Sequence, residues 1–330
     1  MAAGKAVVLM RTSFMDKESL DLFKSYVPAG WKPVYVDVST PGENDARVVK
    51  EMVDAEYLLS QGSGPIPIKW VEGAKKLKLI QTGGQDVGHL PVKWALDKGL
   101  PVANAGGANA LSVSELVMLL ILACLRRFRE HNAATVAGNW KGGIDRKTCH
   151  ELFDRTVGII GFGNIGRRVG QLCHAFGANI IFYERLFIPL AVRSDMKAKP
   201  VSLDELLRTS DIVTVHVPSF SANRKMIGYE ELSKMKKTAY LINTSRGANV
   251  DEDALVRALK EKKLAGAALD VWDPEPPDPK NPLLNMPNVL ATPHIAGNSV
   301  AVSARSYDIM WRNIVLVSEG RDPVSRVREY

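Results

Sequence analysis

Three residues in the carboxyl-terminal half have side chains that do chemistry if they meet: Arg246 in LINTSRGANVDEDAL, Glu275 in ALDVWDPEPP and His294 in ATPHIAGNSV. Each follows a short apolar run and is followed by glycine or proline, the punctuation of a strand end opening into a loop. An arginine's planar fork grips a carboxylate or polarises a carbonyl. A histidine gives a proton to an alkoxide, and a carboxylate beside it orients the ring and favours its protonated form. Together they suit reduction of a 2-keto acid. Singly they fit plainer roles: His294 as a loop residue, Arg246 in a loop salt bridge, Glu275 as a solvated charge.

A fourth feature joins them. TVGIIGFGNIGRRVGQL holds Gly161-x-Gly163-x-x-Gly166 directly after an apolar strand and before a helix. The first glycine permits a tight turn, the second lets a pyrophosphate approach the backbone, and the third lets helix and strand pack closely. The helix amino terminus then offers N–H groups to the phosphates. The next strand, NIIFYE, ends in Glu184. A carboxylate there accepts from an adenosine ribose and repels a 2′-phosphate, which points to NAD. Arg185 follows, and in the alternative it stacks on adenine or grips the 2′-phosphate of NADP.

These groups need strands to carry them. Near-continuous apolar runs, as in a sheet buried on both faces, occur at residues 5–10, 33–38, 56–60, 77–82 and 100–105. A second set lies at 156–163, 179–184, 211–218, 239–245, 266–271 and 288–293. Helical stretches alternate with them, so the fold class is α/β, with two doubly wound parallel-sheet domains. In such sheets ligands gather at the carboxyl ends of the strands. One long helix is predicted over 112–131, with Ser112 and Glu115 as a capping box. Another covers 299–319, with Tyr307, Met310, Trp311, Ile314 and Val317 on one face and Gly320 ending it. The proline-rich segment 273–282 reads as a rigid loop.

The 330 residues exceed one ordinary core. A net charge of +7 comes from dispersed lysines and arginines, so nucleic-acid binding is not expected. The three cysteines, Cys124, Cys149 and Cys173, form no C-x-x-C pair, so neither a disulfide framework nor a metal site is indicated. The run LVMLLILACL is too short to span a membrane, and the first residues lack a secretory pattern. The expected compartment is the cytoplasm.

GFGNIG, LLRTSDIVTVHVP, LINTSRGANVDEDALVRAL, AALDVWDPEP and PNVLATPHIAG together resemble the D-isomer-specific 2-hydroxyacid dehydrogenases over essentially the whole chain. The resemblance implies a Rossmann NAD-binding domain, 105–297, inserted into a flavodoxin-like substrate domain, 1–104 plus 298–330. It implies Arg246, Glu275 and His294 as the catalytic set, with Glu275 hydrogen-bonded to His294. Asp270 would bind the nicotinamide amide, with Thr244, Ser245, Ala296 and Gly297 nearby. His216 and Pro218 would line the adenosine side with Tyr183, Glu184 and Arg185, and Asn164 and Ile165 would follow the pyrophosphate. Gly62, Ser63, Gly83 and Gly84 would offer backbone N–H groups to the substrate carboxylate, beside Arg246 and His294. The helix at 110–130 would form a homodimer interface between NAD-binding domains.

Three rivals share these motifs. Formate dehydrogenase has glutamine where this chain has Glu275, and formate oxidation needs no proton relay. Phosphoglycerate dehydrogenases tend to place arginines in the two substrate loops, which here are the neutral 61–64 and 81–83, and no regulatory domain is expected after residue 330. An NAD-sensing binding protein resembling transcriptional corepressors would not need the full catalytic set. The expected substrate is a small 2-hydroxy or 2-keto acid of the hydroxypyruvate or glyoxylate type.

Overall fold

The structure is a computed structural model that describes residues 4–140, 148–218 and 221–327. The chain divides into two compact units, Met1–Asn109 with Ser299–Tyr330, and Ala110–Asn298. The outermost ends of the expected substrate domain, residues 1–3 and 328–330, lie outside the described residues.

The first unit holds a five-stranded sheet of β1 (Ala6–Met10), β2 (Val34–Asp37), β3 (Tyr57–Gln61), β4 (Leu79–Thr82) and β5 (Val102–Ala103). All pairings are parallel, in the order β2-β1-β3-β4-β5. β1 is buried at every position, as its unbroken AVVLM requires of a strand covered on both faces. The helix Val300–Ser318 turns Tyr307, Met310, Trp311 and Ile314 into one cluster with Ala6, Val8, Met10, Leu59 and Leu79. That is the face predicted by its helical spacing. Gly320 (φ +75°) lies just past its end.

The second unit holds β6 (Thr156–Ile160), β7 (Asn179–Tyr183), β8 (Lys199–Pro200), β9 (Ile212–Val215), β10 (Tyr240–Asn243), β11 (Gly266–Leu269) and β12 (Val289–Ala291). These strands are also all parallel, ordered β12-β11-β10-β9-β6-β7-β8. β8 is a twelfth strand that apolar runs do not reveal. It is two exposed residues at the sheet edge, where a proline costs no central hydrogen bond.

Three expectations need correction. The first domain boundary falls after Asn109, not after residue 104, because the intervening segment is bonded back to the first unit. Ala105 N–H donates to Gly84 O, Ser325 Oγ to Gly106 O and Arg305 Nε to Ala108 O. The return boundary falls after Asn298, one residue beyond the predicted 297. The predicted helix over 112–131 is two helices, Ala110–Leu125 and Phe128–Val136, separated where Arg127 adopts φ +48°. Ser112 lies inside the first of these and is no cap. Its hydroxyl donates to Ala296 O at 2.8 Å.

Candidate active site

Six consecutive strands of the second unit end in the residues singled out above. Across the sheet these are His294 past β12, Asp270 past β11, Thr244 to Arg246 past β10, His216 past β9, the glycine loop past β6 and Glu184 past β7. Parallel strands put all of them on one edge, spread over roughly 24 Å at the usual strand spacing. The chain order reverses between β9 and β6, which opens a crevice there.

The glycine loop fills that crevice. Gly161 has φ +92°, and a Cβ on it would lie 2.9 Å from Val217 N and from the His216 carbonyl carbon. A Cβ on Gly166 would overlap the Gly161 carbonyl. Gly163 faces open space and precedes the helix Asn164–Ala175, whose first turn has neither an acidic residue nor a side-chain cap. Its first N–H groups and dipole therefore suit an anion. Asn164 is exposed and Ile165 half-buried on that turn.

Glu184 borders the loop and is bonded to it. Its Oε2 accepts from Phe162 N–H at 2.9 Å, and Oε1 from Arg185 N–H at 2.8 Å. A carboxylate has about four acceptor positions, so positions remain for a ribose hydroxyl. Tyr183 is half-buried, and Arg185 and Pro218 are exposed. His216 shares a hydrogen bond between its Nε2 and Thr214 Oγ1 at 2.9 Å. Burial pushes it down to about 3, so the ring is neutral. Its Nδ1 and the Thr244 hydroxyl are buried with no hydrogen-bond partner among the described residues. An open glycine cradle, an uncapped helix start and two buried polar atoms with no partner fit a dinucleotide laid along this edge.

Past β10 a polar network fixes the loop. Ser245 N–H and Oγ both donate to Asn243 Oδ1, and Asn249 Nδ2 donates to Ser245 Oγ and to Val217 O. Arg246 Nη1 donates to Ser245 O at 2.7 Å. Gly247 leaves no room for a Cβ against the Trp272 carbonyl, which brings the β10 and β11 loops into contact.

Asp270 is fully buried. Thr292 Oγ donates to its Oδ1 at 2.6 Å, Ile295 N–H to Oδ1 and Ala296 N–H to Oδ2 at 2.9 Å each. Its own carbonyl accepts from His294 N–H at 2.8 Å. The sequence reading gives this carboxylate to the nicotinamide amide, whereas here it mainly folds the His294 loop. His294 itself has φ +54°, a conformation that costs a non-glycine residue unless its surroundings impose it. Its Nδ1–H donates to Glu275 Oε2 at 2.7 Å, and Glu275 Oε1 accepts from Trp272 N–H at 3.0 Å. The pairing assigns the proton to Nδ1 in the neutral ring and leaves Nε2 for a ligand. Ala296 is buried and Gly297 half-buried beyond it.

In the first unit, Gly62 (φ +62°) and Gly64 (φ +72°) turn the loop past β3. Ser63 is buried, its Oγ 2.6 Å from Ser60 Oγ. Gly83 N–H donates to Ser60 O, and Gly84 N–H to Thr82 Oγ1 at 3.3 Å. These two N–H groups, expected to face a substrate carboxylate, are used within the sheet edge. His89 Nε2 lies 3.1 Å from Ser60 Oγ and 3.3 Å from Thr82 Oγ1, at the carboxyl ends of β3 and β4. The sequence reading passes over His89, and over Arg11, which lies against Gly64. For Arg11 the signal was present: a charged residue directly after the apolar run AVVLM. Among the described residues no group of three histidine, cysteine or acidic side chains fits a metal ion, and no helix is long and apolar enough to cross a membrane.

Residues 118–296 match the model of a family described as D-isomer specific 2-hydroxyacid dehydrogenase, NAD binding domain. The chain is 38% identical over 288 residues to a D-3-phosphoglycerate dehydrogenase of Methanocaldococcus jannaschii, covering 86% of this chain and 54% of that one. It thus spans about half the length of that relative. It is 35% identical to a hydroxypyruvate reductase of Thermotoga maritima, over 78% of this chain and 83% of that one. A crystal structure of a glyoxylate reductase from Paecilomyes thermophila superposes with TM-score 0.83 at 27% identity, over 98% of each chain. The chain belongs to the D-isomer specific 2-hydroxyacid dehydrogenase family, and its second unit carries that family's NAD-binding domain.

Proposed function

We propose that the protein reduces a small 2-keto acid with NADH and, in reverse, oxidises the D-2-hydroxy acid. The observation that carries this reading is the His294–Glu275 pair at 2.7 Å, held at the strand edge that also bears the glycine cradle. Bound NADH supplies the hydride. Gly161, Gly163, Asn164, Ile165 and Gly166 hold its pyrophosphate. Tyr183, Glu184, Arg185, His216 and Pro218 border its adenosine half, with Glu184 favouring NAD over NADP. Thr244, Ser245, Ala296, Gly297 and the remaining acceptor capacity of Asp270 border the nicotinamide half.

Arg246 grips the substrate carboxylate and polarises the 2-carbonyl. As negative charge develops on the carbonyl oxygen, His294 Nε2 delivers its proton there. Glu275 orients the ring and balances its charge while it is protonated. Gly62, Ser63, Gly83 and Gly84 form the substrate loops of the first unit. Of these, residues 62–64 are the better carboxylate donors, because Gly83 N–H is bonded to Ser60.

The protein forms a homodimer through the second unit. Leu119, Phe128 and Val136 on the two helices Ala110–Leu125 and Phe128–Val136, and Trp140 shortly after them, are 60–81% exposed, large apolar side chains that a partner would cover. Sedimentation of the purified protein checks this, and a monomer at micromolar concentration rejects it. The activity is tested by NADH oxidation with glyoxylate, hydroxypyruvate and pyruvate. Turnover of at least one, with NADH preferred over NADPH, is expected. A folded protein that binds NADH but turns over no keto acid rejects the enzyme reading in favour of an NAD-sensing binding protein.

A further inference from the structure

The turn that carries Glu275 cannot hold itself in place. Five of the ten residues 273–282 are prolines, Pro274, Pro276, Pro277, Pro279 and Pro282, and none has an N–H to give. Their fixed φ stiffens the segment internally but does not attach it to the sheet. Attachment falls to the donors that remain. Trp272 N–H and Asp273 N–H are consecutive, and each donates to a carboxylate: Trp272 to Glu275 Oε1 at 3.0 Å, and Asp273 to Glu252 Oε1 at 2.8 Å. The other oxygen of Glu252 accepts from Asn281 Nδ2 at 2.6 Å. Asn281 Oδ1 in turn accepts from the N–H of Leu283, which is fully buried. The half-buried Glu252 therefore closes the turn at both ends, with Glu275 between them.

The same clamp reaches the arginine loop. Gly247 follows Arg246, and a Cβ on it would overlap the Trp272 carbonyl and lie 2.6 Å from Asp273 N. The peptide unit between Trp272 and Asp273 is thus packed on Gly247 and bonded by Glu252. Glu252 opens the helix Glu252–Lys260, so the chain that leaves Arg246 comes back to hold the peptide beside it. Asp273 also pairs with Arg224 at 3.1 Å, but those side chains are 36% and 58% exposed, and such a surface pair contributes little. The plainer role for Glu252 is an acid in the first turn of a helix, favoured by the dipole. That role makes no use of two bonds into another loop.

We infer that Glu252 is a positioning residue for the reaction: by holding the Trp272–Asp273 peptide and Asn281, it sets the Glu275 carboxylate against His294 Nδ1. The inference rests on the proposed activity, in which Glu275 orients the ring, and it names the group that orients Glu275.

The test measures kcat, KM and NADH affinity with glyoxylate, hydroxypyruvate or pyruvate, whichever wild type turns over fastest. Glu252→Ala should lower kcat about tenfold and leave KM and NADH affinity within about twofold. Glu252→Gln keeps an oxygen for Asp273 N–H and should recover most of the loss. In a Glu275→Gln background Glu252→Ala should cost little more, because residues of one network are not additive. In crystals of Glu252→Ala, Glu275 should no longer bridge Trp272 N–H and His294 Nδ1. Lower stability with wild-type kcat would leave Glu252 a helix-end charge and overturn the inference. So would a full further loss in the Glu275→Gln background, or an unmoved Glu275. Should Glu252→Ala not fold, Asn281→Ala removes only the outer bond and should lower kcat about threefold at unchanged KM, and wild-type kcat there overturns the inference. A wild type inert to every keto acid would reject the proposed activity, while the crystal comparison still decides whether Glu252 places Glu275.

Discussion

At the carboxyl edge of the seven-stranded sheet, Asp270, Glu184 and Asn243 each accept backbone N–H groups with their side-chain oxygens, and so shape the loops proposed to carry the chemistry. At the same edge of the five-stranded sheet the turning is done by Gly62 and Gly64, and the tying by hydroxyls around His89. Two of the acceptors at the first edge, Asp270 and Glu184, are carboxylates, so that edge is fixed largely by charge-assisted bonds. The other has one such anchor at its β2 end, where Asp37 accepts from Thr12 N–H and Ser39 N–H, but from β3 to β4 it is fixed by backbone permissiveness and neutral contacts, each worth less. The difference suits a division of labour. A proton donor must be held within a few tenths of an ångström, whereas a substrate loop must shape itself to what it binds.

The largest expected effect breaks the rigid edge at its reacting group. His294→Ala removes the proposed proton donor and should lower keto-acid reduction by roughly 10²–10⁴-fold. NADH binding, measured by fluorescence titration, should change little, since the anchors lie at the glycine loop and Glu184. Full turnover in this variant removes His294 from the reaction.

Next in size is the support beneath it. In Asp270→Asn one of the two oxygens becomes an NH₂ that faces an N–H donor, so at least one of the three bonds into the 292–296 loop is lost. The cost should be about 2–4 kcal/mol of stability, read by urea denaturation, with kcat falling more than NADH affinity. If NADH affinity falls while stability holds, Asp270 is a cofactor ligand first and a staple second.

A third prediction concerns Glu184. Glu184→Ala removes the charge that opposes a 2′-phosphate and leaves Arg185 in place. The ratio of kcat/KM for NADH over NADPH should fall about tenfold. An unchanged ratio means that discrimination lies elsewhere.

Much of the rigid edge was legible because its chemistry is local in the chain. A strand, a turn and a functional side chain occupy about ten consecutive residues in TVGIIGFGNIG, ALDVWDPEP and NVLATPHIAG, and the glycine spacing has a direct steric reason. The helix break at Arg127 was not legible, because Arg127 takes φ +48° and arginine gives no warning of that. Ser112 looked like a cap because its pattern is right, but its hydroxyl is used by a carbonyl 184 positions away. β8 has no buried face to mark it. His89 escaped for a related reason: strand order, not chain order, makes Ser60 its neighbour.

The smallest expected effect compares the histidines of the two edges. Burial lowers both His216 and His89, and for His89 the nearby Asp86 works against the shift. His216, pushed from 6.5 to about 3, stays neutral in the folded unit while the unfolded chain takes up a proton below about 6.5. Between those values the unfolded state binds more protons, so unfolding becomes easier as pH falls. The contribution is complete above about 6.5 and lost as pH drops toward 3. From pH 7 to pH 5 it amounts to about 1–2 kcal/mol. His216→Asn has no titrating ring and should show a shallower loss of stability over that interval, whatever its stability at pH 7. His89→Asn should flatten the curve less, because Asp86 already offsets part of the shift. Equal slopes in wild type and His216→Asn would mean that the ring gains a proton inside the fold, and a protonated ring would seek an acceptor on the adenosine side of the cradle.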